Sequence, residues 1–280
     1  MELNLDTGRL WVFIGGFSLF WLLETAWPAR PWQGGYRGLA VRLRRLGYHG
    51  FLATLNTVLV RIVVYVPLLL WLVYVEEEGY GLARWLGLVG WTELLVSIVV
   101  LDAFDYVWHR MNHRVPLLWR LHKAHHADTG MDVTTALRFH PGELVCSAGM
   151  KALWVVVWGP SVVAWFLFEA LISLCAQFHH ANLDLPERVE RLLAAVIVTP
   201  RFHAAHHRVE RRFGNANFST ILSCWDRLAG TFSPPPAARE EAALETYGLP
   251  EGRGLAFRFS AWLDEPFRTR NLGIDRPRAG

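Results

Sequence analysis

Histidine is the residue through which this chain can do chemistry. Eleven of its twelve histidines fall between His109 and His207, in clusters spaced like the turns of a helix. His109 and His113 occur in H-R-M-N-H, and His122, His125 and His126 in H-K-A-H-H. His140 follows in R-F-H-P, His179 and His180 in F-H-H-A-N, and His203, His206 and His207 in H-A-A-H-H. Residues three or four apart share one face of a helix, with Cβ atoms ~5–6 Å apart. The His109–His113 pair can therefore aim two imidazoles at one ion, and each H-x-x-H-H triplet can do the same. The pair and the two triplets supply eight ligands, and His180 and His140 are available to add to them. One four- to six-coordinate ion cannot use so many, so two metal ions held between helices fit the count better.

Imidazole suits Fe, Zn, Cu and Ni alike, so the ligand type leaves the metal open. Cys146, Cys175 and Cys224 are isolated, which argues against iron–sulfur clusters and structural zinc. Carboxylates are expected to orient metal-bound rings, and Asp102, Asp105, Glu143 and Asp226 are the nearest in sequence. Bland readings compete at single positions. His49 reads as an ordinary loop residue. His179 reads as the neighbour of a ligand, because adjacent helical residues point apart. His140 stands evenly between loop residue and site residue. For the triplets the bland reading is poor, since ionisable groups near a membrane face are costly unless used.

The elements that must position these rings look membranous. Over half of the residues are hydrophobic, mean hydropathy is +0.21 and net charge is only +3. Lysine occurs only at Lys123 and Lys151, and no dense basic block of the nucleic-acid-binding kind is present. The N-terminus lacks the positive region of a secretory signal, so its apolar stretch reads as a retained anchor. Residues 10–27, 51–75 and about 85–107 are candidate spans of a ~30 Å hydrocarbon core. Residues 144–158 and 161–178, split by Gly159-Pro160, read as a helical hairpin or two tilted spans. Segment 28–49 carries Arg30, Arg37, Arg42, Arg44 and Arg45, and the next connection carries Glu76, Glu77 and Glu78. Positive loops favour the cytoplasm, which places every histidine cluster on that face. Residues 187–198 look amphipathic and interfacial, 233–254 read as an irregular loop, and the tail after Arg270 as mobile. Trp108, Trp119 and Trp225 read as interfacial anchors. Arg208, Arg211 and Arg212 read as a headgroup-facing surface or a dock for an acidic electron donor.

Beyond the histidines, H-R-M-N-H, W-R-L-H-K-A-H-H, R-F-H-P-G-E, H-A-N-L-D-L-P and T-P-R-F-H-A-A-H-H occur in a recognisable order. They are followed by N-F-S-T-I-L-S-C-W-D-R-L-A-G-T-F. Over roughly residues 90–235 this ensemble resembles the fatty acid hydroxylase superfamily, which includes the sterol desaturases; residues 1–85 match only in hydropathy. The resemblance implies a non-haem di-iron oxygenase. Its ligands, carried over by position, are His109, His113, His122, His125, His126, His180, His203, His206 and His207, with His140 in a family-like R-F-H-P segment. The Phe178-His179-His180 run offers two rings where the family often has one. Asp226 and Arg227 resemble the W-D-R element and are expected to brace the metal-bearing cap.

The sequence thus predicts an all-α integral membrane helical bundle with a cytoplasmic histidine-rich cap. Its parts are an N-terminal membrane region (1–85), a catalytic region with the membrane hairpin (86–235) and a C-terminal cytoplasmic segment (236–280). The expected activity is O₂-dependent hydroxylation or desaturation of a lipid-like substrate such as a fatty acyl chain, sterol or carotenoid. Two Fe ions are the expected cofactor, with Zn in a purified form. No C-x-x-C-H and no G-x-G-x-x-G opening a βαβ unit occurs, so electrons are expected from a separate ferredoxin-like or small-cytochrome donor with its reductase. The setting is a bacterial inner membrane, or the endoplasmic reticulum of a eukaryote. The rival reading is a divalent-cation binding or transport protein. It would place ligands at mid-span, whereas here only Arg61 and Glu93 interrupt the spans deeply.

Overall fold

A computed structural model describes residues 5–30, 38–209, 214–235, 247–249 and 256–267, and the side chains of all these except residues 5, 6, 61 and 62. Helices dominate the described residues, and the only β pairing among them is three isolated bridges. Helix α1 spans Leu5–Ala26 and α2 spans Leu39–Val60; a π-helical turn at Arg61–Tyr65 leads into α3, Val66–Glu77. A short α4 (Leu82–Trp85) precedes the long α5, Gly90–Arg114. Then come α6 (Pro116–His126), a 3₁₀ turn at Val133–Leu137, α7 (Pro141–Trp158) and α8 (Val162–His180). Three shorter helices follow: α9 (Glu187–Ala194), α10 (Pro200–His206) and α11 (Cys224–Leu228). The last, α12, is Phe259–Asp264.

Among the described residues, two helices are long and apolar enough to cross a membrane, Thr7–Ala26 and Val162–His180. The pair Leu39–Val60 and Val63–Trp85, bent by 53°, makes a third if taken as one broken span. Helix α5 is not among them, although residues 85–107, most of which it contains, read as a span in sequence. Its three acids are instead spent on tertiary contacts. Apolar side chains remain exposed along these helices, among them Trp11 and Leu22 on α1, Leu70 on α3 and Leu95 on α5. So much exposed apolar surface suits lipid rather than water.

The α7–α8 hairpin is as the Gly-Pro break suggests. Gly159 ends α7 in the left-handed conformation (φ 70°). Its backbone lies so close to Tyr80 and Gly81 that an added Cβ would sit 2.0 Å from the Tyr80 carbonyl oxygen. Carboxylates then cap α8. Ser161 donates its N–H and its hydroxyl to Glu93, and Val162 N–H donates to Glu76. Glu93 is thus a helix-cap acceptor at the hairpin tip, where acidic groups complement the N-terminal dipole.

The arginines of segment 28–49 are mostly internal. Residues 39–49 are helix rather than loop. Arg42 pairs with the fully buried Glu24 of α1 at 2.8 Å. Arg45 makes a fork onto Asp128 (2.9 and 2.8 Å) and reaches Asp132 through Nε at 2.5 Å. These charges hold α1 and α2 against the histidine region, so their number says nothing about which side of the membrane they face. Arg37 lies outside the described residues. His49 is likewise not a loop residue: it is buried in α2, with Nδ1 2.8 Å from Thr134 Oγ1 and Nε2 3.5 Å from Arg138. Trp262 of α12 packs with Leu52 and Ala124, so the C-terminal segment docks on α2 and α6.

Candidate metal centre

Each histidine is delivered by a helix whose ends are set locally. Val115 is extended and Pro116 opens α6 at its first position, because the residue before proline avoids helix and proline's missing N–H is tolerated there. The resulting corner folds α6 back on α5. The His109 and His122 rings lie 5.1 Å apart, and those of His113 and His126 4.7 Å. Pro200 opens α10 in the same way, and the Thr199 side chain accepts from Phe202 N–H. His180 arrives from the C-terminal end of α8.

These rings fall into two groups. In one, nitrogens of His109, His113, His122, His126 and His206 all lie within 4.8 Å of one another; in the other, those of His125, His180, His203 and His207 do so. All nine residues inferred from the sequence are therefore brought together, and on one end of the helices. A helix turns ~100° per residue, so each H-x-x-H-H triplet is divided. His122 and His126 face the first group and His125 the second; His206 faces the first, and His203 and His207 the second.

His140 joins neither group. It is the N-cap of α7, its Nδ1 accepting from Gly142 N–H at 3.0 Å and its Nε2 donating to Leu263 O at 3.3 Å. Both ring nitrogens are thus engaged in holding α7 and α12. His179 also lies outside both groups, buried, with its ring centroid 4.0 Å from that of His203.

The protein fixes the tautomers. Carbonyl oxygens only accept, so a ring nitrogen facing one carries the proton. His109 Nδ1 donates to Phe218 O and His206 Nδ1 to Ala216 O, each at 2.7 Å. His125 Nδ1 donates to Arg138 O at 3.2 Å and His180 Nδ1 to Ala176 O at 2.7 Å. His122 Nδ1 is 2.7 Å from the Glu143 carboxylate. In these rings Nε2 is left as a bare lone pair. His125 Nε2 and His180 Nε2 face each other at 3.1 Å, and the Nε2 atoms of His113, His122, His126 and His206 are buried with no hydrogen-bond partner. Two inward lone pairs repel, whereas a cation between them attracts both. This donor set fits metal ions.

Electrostatics agrees. Burial, reinforced by neighbouring imidazoles, holds His125, His126, His203 and His207 well below the usual histidine range. Burial likewise lowers His206 to about 3. These five rings are therefore neutral at physiological pH, the form that binds metal.

Of the four acids singled out in the sequence, only Glu143 touches one of these nine rings. Asp226 and Asp102 act at one remove, through the loop before α11. Asp226, fully buried, accepts the Phe218 and Ser219 N–H groups at 2.8 Å, and Asp102 accepts those of Ile221 and Leu222 at 3.1 and 2.9 Å. The same loop's carbonyls receive His206 and His109. Asp105 accepts the Thr220 hydroxyl at 2.7 Å. Arg227 donates to Ser223 and Ala194, tying α11 to α9. The three tryptophans also make internal contacts. Trp225 Nε1 donates to Asp102, Trp119 lies on His113 and His126, and Trp108 is buried. Arg208 is also buried, while Arg211 and Arg212 lie outside the described residues.

A cavity of about 270 Å³ opens beside both groups, between α1, α5, α7 and α8, with His122, His125, His180 and His203 on its wall.

Comparison with known proteins bears on residues 94–231. The fatty acid hydroxylase family model matches residues 94–231. Residues 94–231 are a fatty acid hydroxylase domain. The chain is 27% identical over 175 residues to ornithine lipid hydroxylase OlsE of Rhizobium tropici, covering 62% of this chain and 50% of that protein. It is 31% identical over 178 residues to alkylglycerol monooxygenase of Danio rerio, covering 62% and 36%. With cholesterol 25-hydroxylase of Mus musculus it shares 25% over 146 residues, covering 52% and 48%. The chain thus spans half or less of the length of these relatives. No solved structure matches it.

Proposed function

We propose that this fatty acid hydroxylase domain protein is a membrane-bound non-haem di-iron oxygenase that hydroxylates or desaturates a lipid. The observation that carries the reading is the pair of histidine groups with inward lone pairs, nine rings in all, beside one cavity. His109, His113, His122, His126 and His206 would hold one ion, and His125, His180, His203 and His207 the other. Iron in such sites supplies activation of O₂, which protein side chains cannot provide. Hydroxylation converts C–H to C–OH with one oxygen atom from O₂; the other leaves as water, using two electrons and two protons. Desaturation removes two hydrogens and leaves both oxygen atoms in water, with the same external electrons.

The chain's own residues orient and exclude. Phe218 O, Ala216 O and Glu143 fix ring orientation, and apolar side chains such as Phe13, Phe139 and Ile172 on the cavity wall disfavour water beside the reacting carbon. Electrons come from a separate ferredoxin-like or small-cytochrome donor with its reductase. The histidine end faces the cytoplasm, where such a donor can reach it.

The test is lipid profiling of cells with and without the gene, under oxygen and with iron supplied. A lipid gaining one oxygen atom marks hydroxylation, and one losing two hydrogens marks desaturation. Alanine at His125 or at His206 is expected to abolish the change while the protein stays in the membrane. Unchanged lipid with metal still bound to the purified protein would replace this reading with the cation-binding one.

A further inference from the structure

The cavity wall carries an uneven set of polar atoms. Glu143 Oε2, Gln177 Oε1 and Asn112 Oδ1 are all buried and without a hydrogen-bond partner, and all three residues line the cavity. All three atoms are acceptors. Their assignment is anchored at two of the three. Gln177 Nε2 donates to Phe13 O, which makes Oε1 the free end, and Glu143 Oε1 is engaged with His122. The cation on the same wall, Lys151, is already held by Glu169 at 2.5 Å. Buried acceptors left unpaired are costly, and three on residues that line one cavity favour a ligand that brings donors.

Resting on the oxygenase reading above, we infer that the lipid enters this cavity head first, through a headgroup rich in hydrogen-bond donors (hydroxyl or ammonium), and is oxidised near that head. A free carboxylate fits poorly, since it brings only acceptors and Lys151 is taken. The position of oxidation follows from placement. Asn112 adjoins His113, Gln177 lies three residues before His180, and Glu143 bonds His122. A head bound by these three sits within about one helical turn of the metal-binding rings, ~5 Å. The carbons within reach are therefore the first few after the head, and the far end of the chain points away.

The experiment is equilibrium binding to the full chain in detergent, loaded with zinc so that no turnover occurs. The probes share a sixteen-carbon chain and differ in head: 1-O-hexadecylglycerol, hexadecylamine, methyl hexadecyl ether and palmitate. The diol or the amine, or both, is expected to bind at least about tenfold tighter than the ether and palmitate; a binder among the two identifies the donor chemistry. Gln177→Leu and, separately, Asn112→Leu are expected to cost that probe about fivefold each and to leave the ether unchanged. Equal binding of all four heads, or preference for palmitate, overturns the inference, and needs no variant to be seen. The two readings fail separately. A donor-headed lipid that binds but is never oxidised by the iron-loaded enzyme with reductant and O₂ sinks the oxygenase reading alone. One oxidised only at the far end of its chain sinks this inference alone.

Discussion

Asp226 never touches a histidine, yet its removal is predicted to weaken metal binding. Its two oxygens accept three hydrogen bonds, from Phe218 N–H, Ser219 N–H and the Thr231 hydroxyl, at 2.8, 2.8 and 2.7 Å. The site is fully buried. Asp226→Ala leaves two backbone donors unpaired, each costing about 1–3 kcal/mol before relaxation, and leaves the Thr231 hydroxyl with Tyr106 as its partner. Allowing the loop to relax, a loss of about 3 kcal/mol is a fair central value, roughly a 6–12 °C fall in Tm for a chain of this size. The second consequence is local. The freed loop no longer holds Phe218 O and Ala216 O where His109 and His206 need them. Outer partners of this kind typically change metal affinity by about 10–100-fold.

The assay is zinc titration and thermal unfolding of the full chain in detergent, for wild type, Asp226→Ala, Glu143→Gln and His109→Ala. Glu143→Gln keeps an acceptor for His122 Nδ1–H and should lose less affinity than Asp226→Ala. The double variant Asp226→Ala/His109→Ala should lose less than the sum of the two singles, because both act on one ring. Metal affinity within twofold of wild type in Asp226→Ala, with Tm lowered as expected, would show that the loop stabilises the fold without setting ring geometry. That result refutes the reasoning.

Arg45→Ala leaves Asp128 and Asp132 as buried carboxylates without their cation; a loss of about 3–5 kcal/mol is expected, seen as failure to accumulate or a large drop in Tm, whereas the exposed Arg188→Ala should be silent. Gly159→Ala combines a positive φ with a Cβ 2.0 Å from Tyr80 O and should cost more than Gly79→Ala, which has φ +69° but open space around it and should lose only ~1 kcal/mol; equal Tm values for the two would remove the packing argument. For chelator-treated protein, His206 titrates at about 3 when folded and near 6.5 unfolded. At this ring the unfolded state therefore binds more protons between these values; because Asp102, raised by burial to about 7, acts in the opposite sense, the check is the comparison with His206→Ala: wild-type Tm should fall more steeply than the variant's as pH drops from 6.5 towards 3, and equal slopes contradict burial of a neutral ring.

What could be read from the sequence was whatever repeats at helical spacing. His109 with His113, and each H-x-x-H-H triplet, declare their shared faces because α5, α6 and α10 are regular helix, and the Gly159-Pro160 break declares the hairpin. Long-range pairing left no such mark. Asp102 reaches Ile221 across 119 residues, and nothing in either segment's pattern names the other. The pairing of the arginines of 28–49 was hidden for a related reason: a loop-charge rule counts sign, whereas Arg42 and Arg45 are distinguished by their partners. A usable signal was present. Glu24 in an apolar helix, and Asp128 and Asp132 just after a histidine triplet, are buried acids that demand cations, and segment 28–49 is rich in them. His140, left open between loop and site residue, carried a signal of its own. R-F-H-P places a histidine immediately before a proline, a helix N-cap position, and here both ring nitrogens are engaged by Gly142 N–H and Leu263 O.

The division of the triplets explains why H-x-x-H-H, rather than H-x-x-H, recurs. A pair spaced by three or four residues fills one site from one face. Adding the adjacent histidine turns ~100° around the helix and supplies the neighbouring site from the same rigid element. Because α6 and α10 each serve both groups, the distance between the two groups is fixed by helix geometry and not by loops. The α5 pair and His180 then complete one group each. A single two-residue insertion within His122–His126 or His203–His207 would therefore disturb both groups at once, whereas the same insertion between His109 and His113 would disturb only the first.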